Sequence, residues 1–190
     1  MIIKSYAKIN LSLIVNKKIK KTGLHNIQSN FCLIDLFDKI SIKKNKKSFD
    51  TISFSGPFSQ NLIKNNNTIQ KVLQMMRKLK LISSFYTIRV NKKIPVFAGF
   101  GGGSSNAVRV INYLTKNKID KKFLNKIYNE LGSDLKLFYY NRGFLKNLKT
   151  IKKINNSYNL YFLLAYPSIK CSTKEVYSKV KKYTKKQDYL

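Results

Sequence analysis

The sequence predicts an α+β fold, on three observations. Apolar and polar residues alternate through most of the first half, apolar residues at helical spacing are grouped after residue 66, and a glycine run, Gly99-Phe100-Gly101-Gly102-Gly103-Ser104-Ser105, separates a strand-like stretch from a helix-like one. Strands first and helices later point to α+β rather than to an alternating parallel sheet.

The elements follow in order. Residues 2–15 alternate well enough for a strand, and residues 30–43 and 50–55 continue in that style with Phe, Ile and Leu. Residues 66–79 carry Ile69, Val72, Leu73, Met76 and Leu79 on one helical side, with Thr68 or an Asn as cap. Residues 85–90 return to strand. After the glycines, Val108, Val110, Ile111 and Leu114 predict a helix from Ser104 to about Thr115, and a further helix over 120–131 has Asp120 at its N-cap and Gly132 just past its end. The lysine runs at 43–47 and 146–153 read as solvated loops or strand ends. Asn155-Asn156-Ser157 breaks the chain before an apolar strand at 160–165, and residues 173–182 read as a short helix.

The chain has 190 residues, of which 43% are hydrophobic, enough for one ordinary domain with a sizeable core. Its formal charge of +30 rests on 38 Lys and Arg against 8 Asp and Glu. Only four of the basic residues are Arg, and the Lys excess accompanies 21 Ile and 20 Asn, all residues with A/T-rich codons. Drift in base composition accounts for that set better than selection for nucleic acid, whose bidentate readout favours Arg. Weak, salt-sensitive adsorption to polyanions is expected, not a specific nucleic-acid site. Cys32 and Cys171 lack metal-ligand spacing, so two reduced thiols in a cytoplasmic protein are expected. Lys4 and Lys8 interrupt the apolar positions of the N-terminus, which lacks the layout of a signal peptide, and no membrane-length apolar run is present.

The glycine run is where chemistry is first legible. Glycines let backbone N–H groups approach an anion, and a helix beginning at Ser104 adds unpaired donors and a positive dipole end. No Lys follows the glycines as in a Walker loop, and the run does not leave a strand as a dinucleotide fingerprint does. With only eight carboxylates in the chain, Asp134 stands out: it follows Gly132-Ser133 and precedes Leu135, Leu137 and Phe138, a setting for a carboxylate partly buried at a turn. From spacing alone Asp134 reads better as a turn-forming Asp, and the same holds for Lys8, between Ala7 and Ile9, as an edge lysine.

Four segments together resemble the GHMP small-molecule kinases. Tyr6-Ala7-Lys8-Ile9-Asn10-Leu11 is similar to P-A-K-[IL]-N-L, Gly23-Leu24-His25 with Ile27-Gln28-Ser29 to G-Y-H-x-[IL]-x-[ST], Lys92 through Ala107 to K-x-[IL]-P-x-G-x-G-L-G-G-G-S-S-N-A, and Leu131-Gly132-Ser133-Asp134 to L-G-[AS]-D-V-P. The stretch from Tyr166-Pro167 to Tyr177 resembles, more weakly, the opening of the family's second domain. The Gly23-Leu24-His25 element favours the branch acting on a cytidine diphosphate conjugate of methylerythritol, in non-mevalonate isoprenoid precursor synthesis, over mevalonate or homoserine kinases.

The resemblance implies a ribosomal protein S5 domain 2-like ATP-binding domain over 1–155 and a short remnant of the substrate domain over 156–190. It implies ATP as phosphoryl donor, assisted by Mg²⁺ for which the sequence shows no carboxylate cage. By resemblance, Asp134 takes the proton of the substrate's tertiary 2-hydroxyl and Lys8 keeps that carboxylate ionised. Pro95, Gly99, Gly101, Gly102, Gly103, Ser104 and Ser105 hold the ATP phosphates. Asn10 orients sugar hydroxyls, His25 and Lys92 read the cytosine end, Tyr177 stacks on the base, and Thr173 is a polar contact beside it.

The chain also departs from the pattern. Leu24 stands for the usual tyrosine, Phe97 and Ala98 for small or glycine positions, Lys136 for a proline, and Leu145-Lys146-Asn147 for A-x-G. Family members continue further, with a second glycine-rich motif, so a second copy or another partner is expected to cover the missing part. Two readings compete with an active kinase: a degenerate or split nucleotide-binding module, and a basic nucleic-acid-binding protein.

Overall fold

The computed structural model describes residues 2–20, 23–60, 62, 66–155, 159–167 and 173–184. Its centre is one long strand, β3 (His25–Asn45), with which four of the other strands pair. Strands β1 (Ile2–Asn10) and β2 (Ile14–Lys18) both pair with β3 in antiparallel fashion, as do β5 (Phe85–Asn91) and β6 (Arg142–Leu145). β4 (Thr51–Ser55) closes one edge, parallel to β5, and β7 (Ile151–Lys153) follows β6, giving the order β4-β5-β3-β6-β7 along the main path. The parallel β4–β5 pair is joined through helix α1 (Thr68–Lys78), the kind of crossover such a pair requires. The rest is antiparallel, and the expected α+β class holds.

The expected strand over 2–15 is two strands. The chain leaves the sheet after Asn10, where the N–H groups of Leu11 and Ser12 both donate to the Asn30 carbonyl, and re-enters at Ile14. Pairing of β1 with β3 also shifts between Tyr6 and Ala7, whose partners are Phe37 and Ile34, so Asp35 and Leu36 form a bulge. Apolar alternation brings Ile40 and Ile42 of β3 and Ile88 and Val90 of β5 to one side of the sheet. They meet Val72, Leu73 and Met76 of α1 and Ala107, Val108, Val110 and Ile111 of α2 (Gly102–Leu114) in one core.

Helix boundaries follow local chemistry. Asn67 caps α1 by accepting from the Gln70 N–H, and Asp120 caps α3 (Lys121–Leu131) by accepting from the Lys122 N–H. Gly132, at φ 119°, ends α3 and starts a 3₁₀ helix over Ser133–Tyr139. Arg77 in the last turn of α1 reaches Asp50, which also accepts from the Tyr86 N–H, fastening α1 to the β4–β5 edge.

The expected strand at 160–165 is absent: this stretch has no regular structure, with Tyr161 93% and Leu163 99% exposed. Its apolar sequence suits a strand, but strand formation needs a neighbour, and none pairs with it among the described residues. The C-terminal helix is shorter than expected, α4 (Thr173–Ser178). Residues 156–158, part of the predicted break, and Cys171 lie outside the described residues; Cys32 is a buried free thiol. No helix of the described residues is long and apolar enough to cross a membrane.

Candidate functional site

The glycine loop is built by backbone geometry that side chains would oppose. Gly101 adopts φ 66° and ψ 24°, and a Cβ there would lie 2.5 Å from the Phe138 ring, so both torsion and space call for glycine. Helix α2 therefore begins at Gly102, two residues before the expected Ser104. Gly102 and Gly103 join its first turn, and the Ser105 N–H bonds to the Gly101 carbonyl. Unlike α1 and α3, α2 has no side-chain cap, which leaves the first N–H groups of its loop end to the cavity in front of them.

That cavity has a volume of about 1100 Å³ and is lined by Lys8, Asn10, Lys92, residues 95–104, Asn106, Asp134 and Tyr177, with Asn66–Ile69 on a further wall. The N-termini of α1 and α2 thus converge on one space, and neither helix has an acidic residue in its first turn. The two dipole ends make the space favourable for an anion. Away from the glycines the wall turns apolar, with Leu13, Val15, Ile27, Phe54 and Val96.

Strand β1 carries Lys8 to this wall and also holds the loop, since the Lys8 N–H donates to the Phe100 carbonyl at 2.9 Å. The Lys8 ammonium is buried and donates to Asn10 Oδ1 at 2.7 Å, which in turn accepts from Ser29 Oγ at 3.1 Å. Burial holds the Lys8 pKa below the ordinary lysine value, and the nearby charge of Asp134 opposes that shift. Asp134 opens the 3₁₀ helix and is exposed on the cavity wall, a correction to the partly buried setting expected from its apolar neighbours. Those neighbours, Leu135, Leu137 and Phe138, are buried in the core, where Leu137 and Phe138 also back the cavity. Tyr177 faces the same cavity, and burial with the charge of Asp134 pushes its phenol pKa up.

Three site expectations are altered. Ser105 is turned away from the cavity: its hydroxyl donates to the Tyr6 carbonyl at 2.7 Å and accepts from Ser5 Oγ at 2.8 Å, so it anchors α2 to β1. Lys92 does not reach a base end with its charge, because its ammonium is buried in an ion pair with Asp38. His25 is buried beside the cavity rather than on its wall, stacked on Tyr177 at 5.8 Å between ring centroids, with Tyr183 at 5.4 Å and Nδ1 3.2 Å from the Asn16 carbonyl. Pro95, Gly99, Gly101, Gly102, Gly103 and Ser104 all line the cavity. Thr173 opens α4, and its side chain lies outside the described residues.

Asp38 and the α1 N-terminus were not singled out from the sequence. The Asn cap of α1 was legible, but that it opens onto the glycine loop depends on the packing of α1 beside α2. Phe97 shows the reverse case: it takes φ 61° with 47% exposure, where glycine would be relaxed. The left-handed cost of about 1–2 kcal/mol exceeds the backbone entropy that glycine adds, about 0.5–1 kcal/mol. Phe97→Gly is expected to leave the melting temperature unchanged or raise it slightly; a clear drop in a thermal melt would show that the ring packs more than its exposure indicates.

Comparisons with known proteins agree with this geometry. The sequence profile of the GHMP kinases N terminal domain matches residues 67–141, which include α1, the glycine loop and Asp134. The chain is 43% identical over 190 residues to the 4-diphosphocytidyl-2-C-methyl-D-erythritol kinase of Pelagibacter ubique (strain HTCC1062), covering 97% of this chain and 66% of that protein. It is 31% identical over 198 residues to the protein of the same name from Persephonella marina (strain DSM 14350 / EX-H1), covering 98% of this chain and 69% of that one. The chain thus spans about two thirds of the length of these relatives.

Among solved structures, a crystal structure of 4-(cytidine 5'-diphospho)-2C-methyl-D-erythritol kinase superposes with a TM-score of 0.61 at 22% identity, over 81% of this chain and 55% of the other. The Methanococcus jannaschii mevalonate kinase does so with a TM-score of 0.52 at 21% identity, over 82% and 56%. At these identities the likeness is one of fold. With two relatives matched across nearly its whole length and the glycine loop inside the matched domain, the chain belongs to the GHMP kinase family.

Proposed function

We propose that the protein transfers the γ-phosphoryl group of ATP to the 2-hydroxyl of 4-diphosphocytidyl-2-C-methyl-D-erythritol, a cytoplasmic step in isoprenoid precursor synthesis. The observation that carries this reading is the cavity itself: Lys8 and Asp134 share it with an uncapped glycine-rich helix start. The uncapped N–H groups of α2, with the α1 N-terminus beside them, suit the triphosphate, and the apolar wall suits a base or sugar.

Asp134, exposed to the cavity, accepts the proton of the acceptor hydroxyl as that oxygen forms its bond to the γ-phosphorus. The bond from the γ-phosphorus to the β,γ-bridging oxygen breaks, and its electron pair leaves on ADP. Lys8 stands beside both groups, and its ammonium offsets charge on the transferring phosphoryl. Asn10, held by Lys8 and Ser29, keeps its amide oriented toward the acceptor. Among the described residues no cluster of three or more His, Cys, Asp or Glu could cage a metal. A Mg²⁺ would be carried on the phosphates and its own waters, with Asp134 the carboxylate on the same cavity wall. When bound, Mg²⁺ would supply neutralisation of phosphate charge.

The domain division, 1–155 for nucleotide and 156–190 for substrate, belongs to the same proposal. It is supported by Tyr177, which brings α4 to the wall of the cavity that the glycine loop also lines. The test is ADP release from the purified chain given Mg-ATP, with and without 4-diphosphocytidyl-2-C-methyl-D-erythritol, in enough salt to suppress adsorption to its basic surface. Release that depends on the acceptor is the expected result. Folded protein that binds ATP yet releases no ADP in the presence of the acceptor would overturn the reading.

A further inference from the structure

Beneath the glycine loop lies a charged group that the proposed chemistry does not use. Asp38, on β3, is fully buried, and every polar contact of its carboxylate runs to one or other end of the loop. Oδ1 accepts from the backbone N–H of Lys93 at 2.8 Å and of Ile94 at 2.9 Å, both before the glycines. Oδ2 accepts from the Lys92 ammonium and from Asn106 Nδ2 at 3.0 Å, the latter on α2 just after the glycines. Asn106 Oδ1 has no partner among the described residues, so Asp38 alone fixes which way that amide faces. The Lys92 ammonium lies 3.2 Å from where a Cβ of Gly102 would be, directly beneath the start of α2.

A cation at a helix N-terminus opposes the dipole and would weaken an anion cradle's architecture if left unpaired. The Asp38 carboxylate neutralises it in place. The same carboxylate joins the strand-exit segment to the helix that follows the glycines, so the span between Ile94 and Asn106 is closed at its base.

We infer that Asp38 is a positioning residue for nucleotide binding, whose carboxylate clips both ends of the glycine loop and so sets the spacing of the N–H groups that receive the ATP phosphates. The inference rests on the reading that this loop takes ATP. Asp38 touches no substrate; it acts through Lys92, the 93–94 backbone and Asn106. A merely structural carboxylate would change how much protein is folded, whereas a positioning one changes the affinity of the folded protein for one ligand and not the other.

Asp38→Asn alone leaves the Lys92 ammonium buried without its counter-charge and is expected to unfold the protein. Asp38→Asn combined with Lys92→Met removes both charges. Asn106→Leu is added to that pair, because the Asn106 amide would otherwise turn over and accept from the new N–H₂; the triple variant opens the helix end of the clip. Asn106→Leu opens the same end without disturbing the ion pair, and serves as the second variant. Isothermal titration with Mg-ATP and, separately, with 4-diphosphocytidyl-2-C-methyl-D-erythritol reads the two ligands independently.

In variants with cooperative melts, ATP affinity is expected to fall about tenfold or more, the scale of a misplaced binding group, with acceptor affinity within twofold of wild type. Equal ATP affinity in wild type and in either folded variant would overturn the inference, and so would a parallel loss for both ligands. Absence of ATP binding by the wild-type chain would instead overturn the reading of the loop on which the inference rests.

Discussion

Asp134→Asn is expected to lower acceptor-dependent ADP release by about 10²- to 10⁴-fold, the usual worth of a positioned general base, while ATP still binds. The substitution is nearly isosteric and falls on an exposed side chain at the start of the 3₁₀ helix, so the fold should tolerate it. The loss should appear in kcat, with the KM for ATP little changed, because in the proposed reading the phosphates are received by the α2 N-terminus and not by this carboxylate. Steady-state kinetics together with a thermal melt check both halves. Full turnover in Asp134→Asn would remove the proposed base, since no other carboxylate among the described residues lines this cavity.

Lys8→Met should do two things of opposite sign. Turnover is expected to drop by about 10²- to 10³-fold, the scale of removing one charge-stabilising donor from a transition state. Stability at neutral pH is expected to rise by about 1 kcal/mol, because a buried ammonium gives way to a side chain of similar shape. Asn10 Oδ1 keeps its hydrogen bond from Ser29, so no acceptor is stranded. The sign of the pH dependence follows from the direction of the shift. Burial puts the folded-state pKa of Lys8 below the ordinary 10.5 of the unfolded chain.

Between the two values the unfolded chain holds a proton that the folded one has released, so the contribution of Lys8 to stability increases with pH there. The cost of its burial is fully present below the folded-state pKa. The stability advantage of Lys8→Met should therefore be largest near neutrality and shrink as pH approaches 10.5. Wild-type activity should fall as pH rises through the folded-state value, below where a solvent-exposed lysine would titrate. Denaturant melts of both proteins across the alkaline range measure the first effect, and a pH profile of kcat the second. Lower stability of Lys8→Met at neutral pH would show that the ammonium is better compensated than its surroundings indicate.

Features that depend on neighbours a few residues away are legible in the sequence. Asn67 and Asp120 cap their helices because a short polar side chain there reaches an N–H within one turn, and Gly132 ends α3 because only glycine is at ease at φ 119°. The periods of Ile69, Val72, Leu73 and Met76 and of Ile40, Ile42, Ile88 and Val90 fixed which faces are buried, and the glycines fixed where an anion could sit. The class of the fold is legible on those grounds, and the family motifs name Lys8 and Asp134, which share the cavity in front of the glycine loop.

The remainder depends on long-range packing, because partners far apart in the chain compete for each polar group. Ser105 reads as a phosphate ligand until Tyr6, 99 residues away, takes its hydroxyl, and Lys92 as a base reader until Asp38, 54 residues away, takes its ammonium. Residues 160–165 read as a strand, but their hydrogen bonds had to come from a neighbour that no described segment provides. Asp134 reads as partly buried from its apolar neighbours, whereas the 3₁₀ turn packs those neighbours into the core and leaves the carboxylate exposed on the cavity wall. Local spacing sets what a residue can do, and long-range packing sets which of its possible partners it meets.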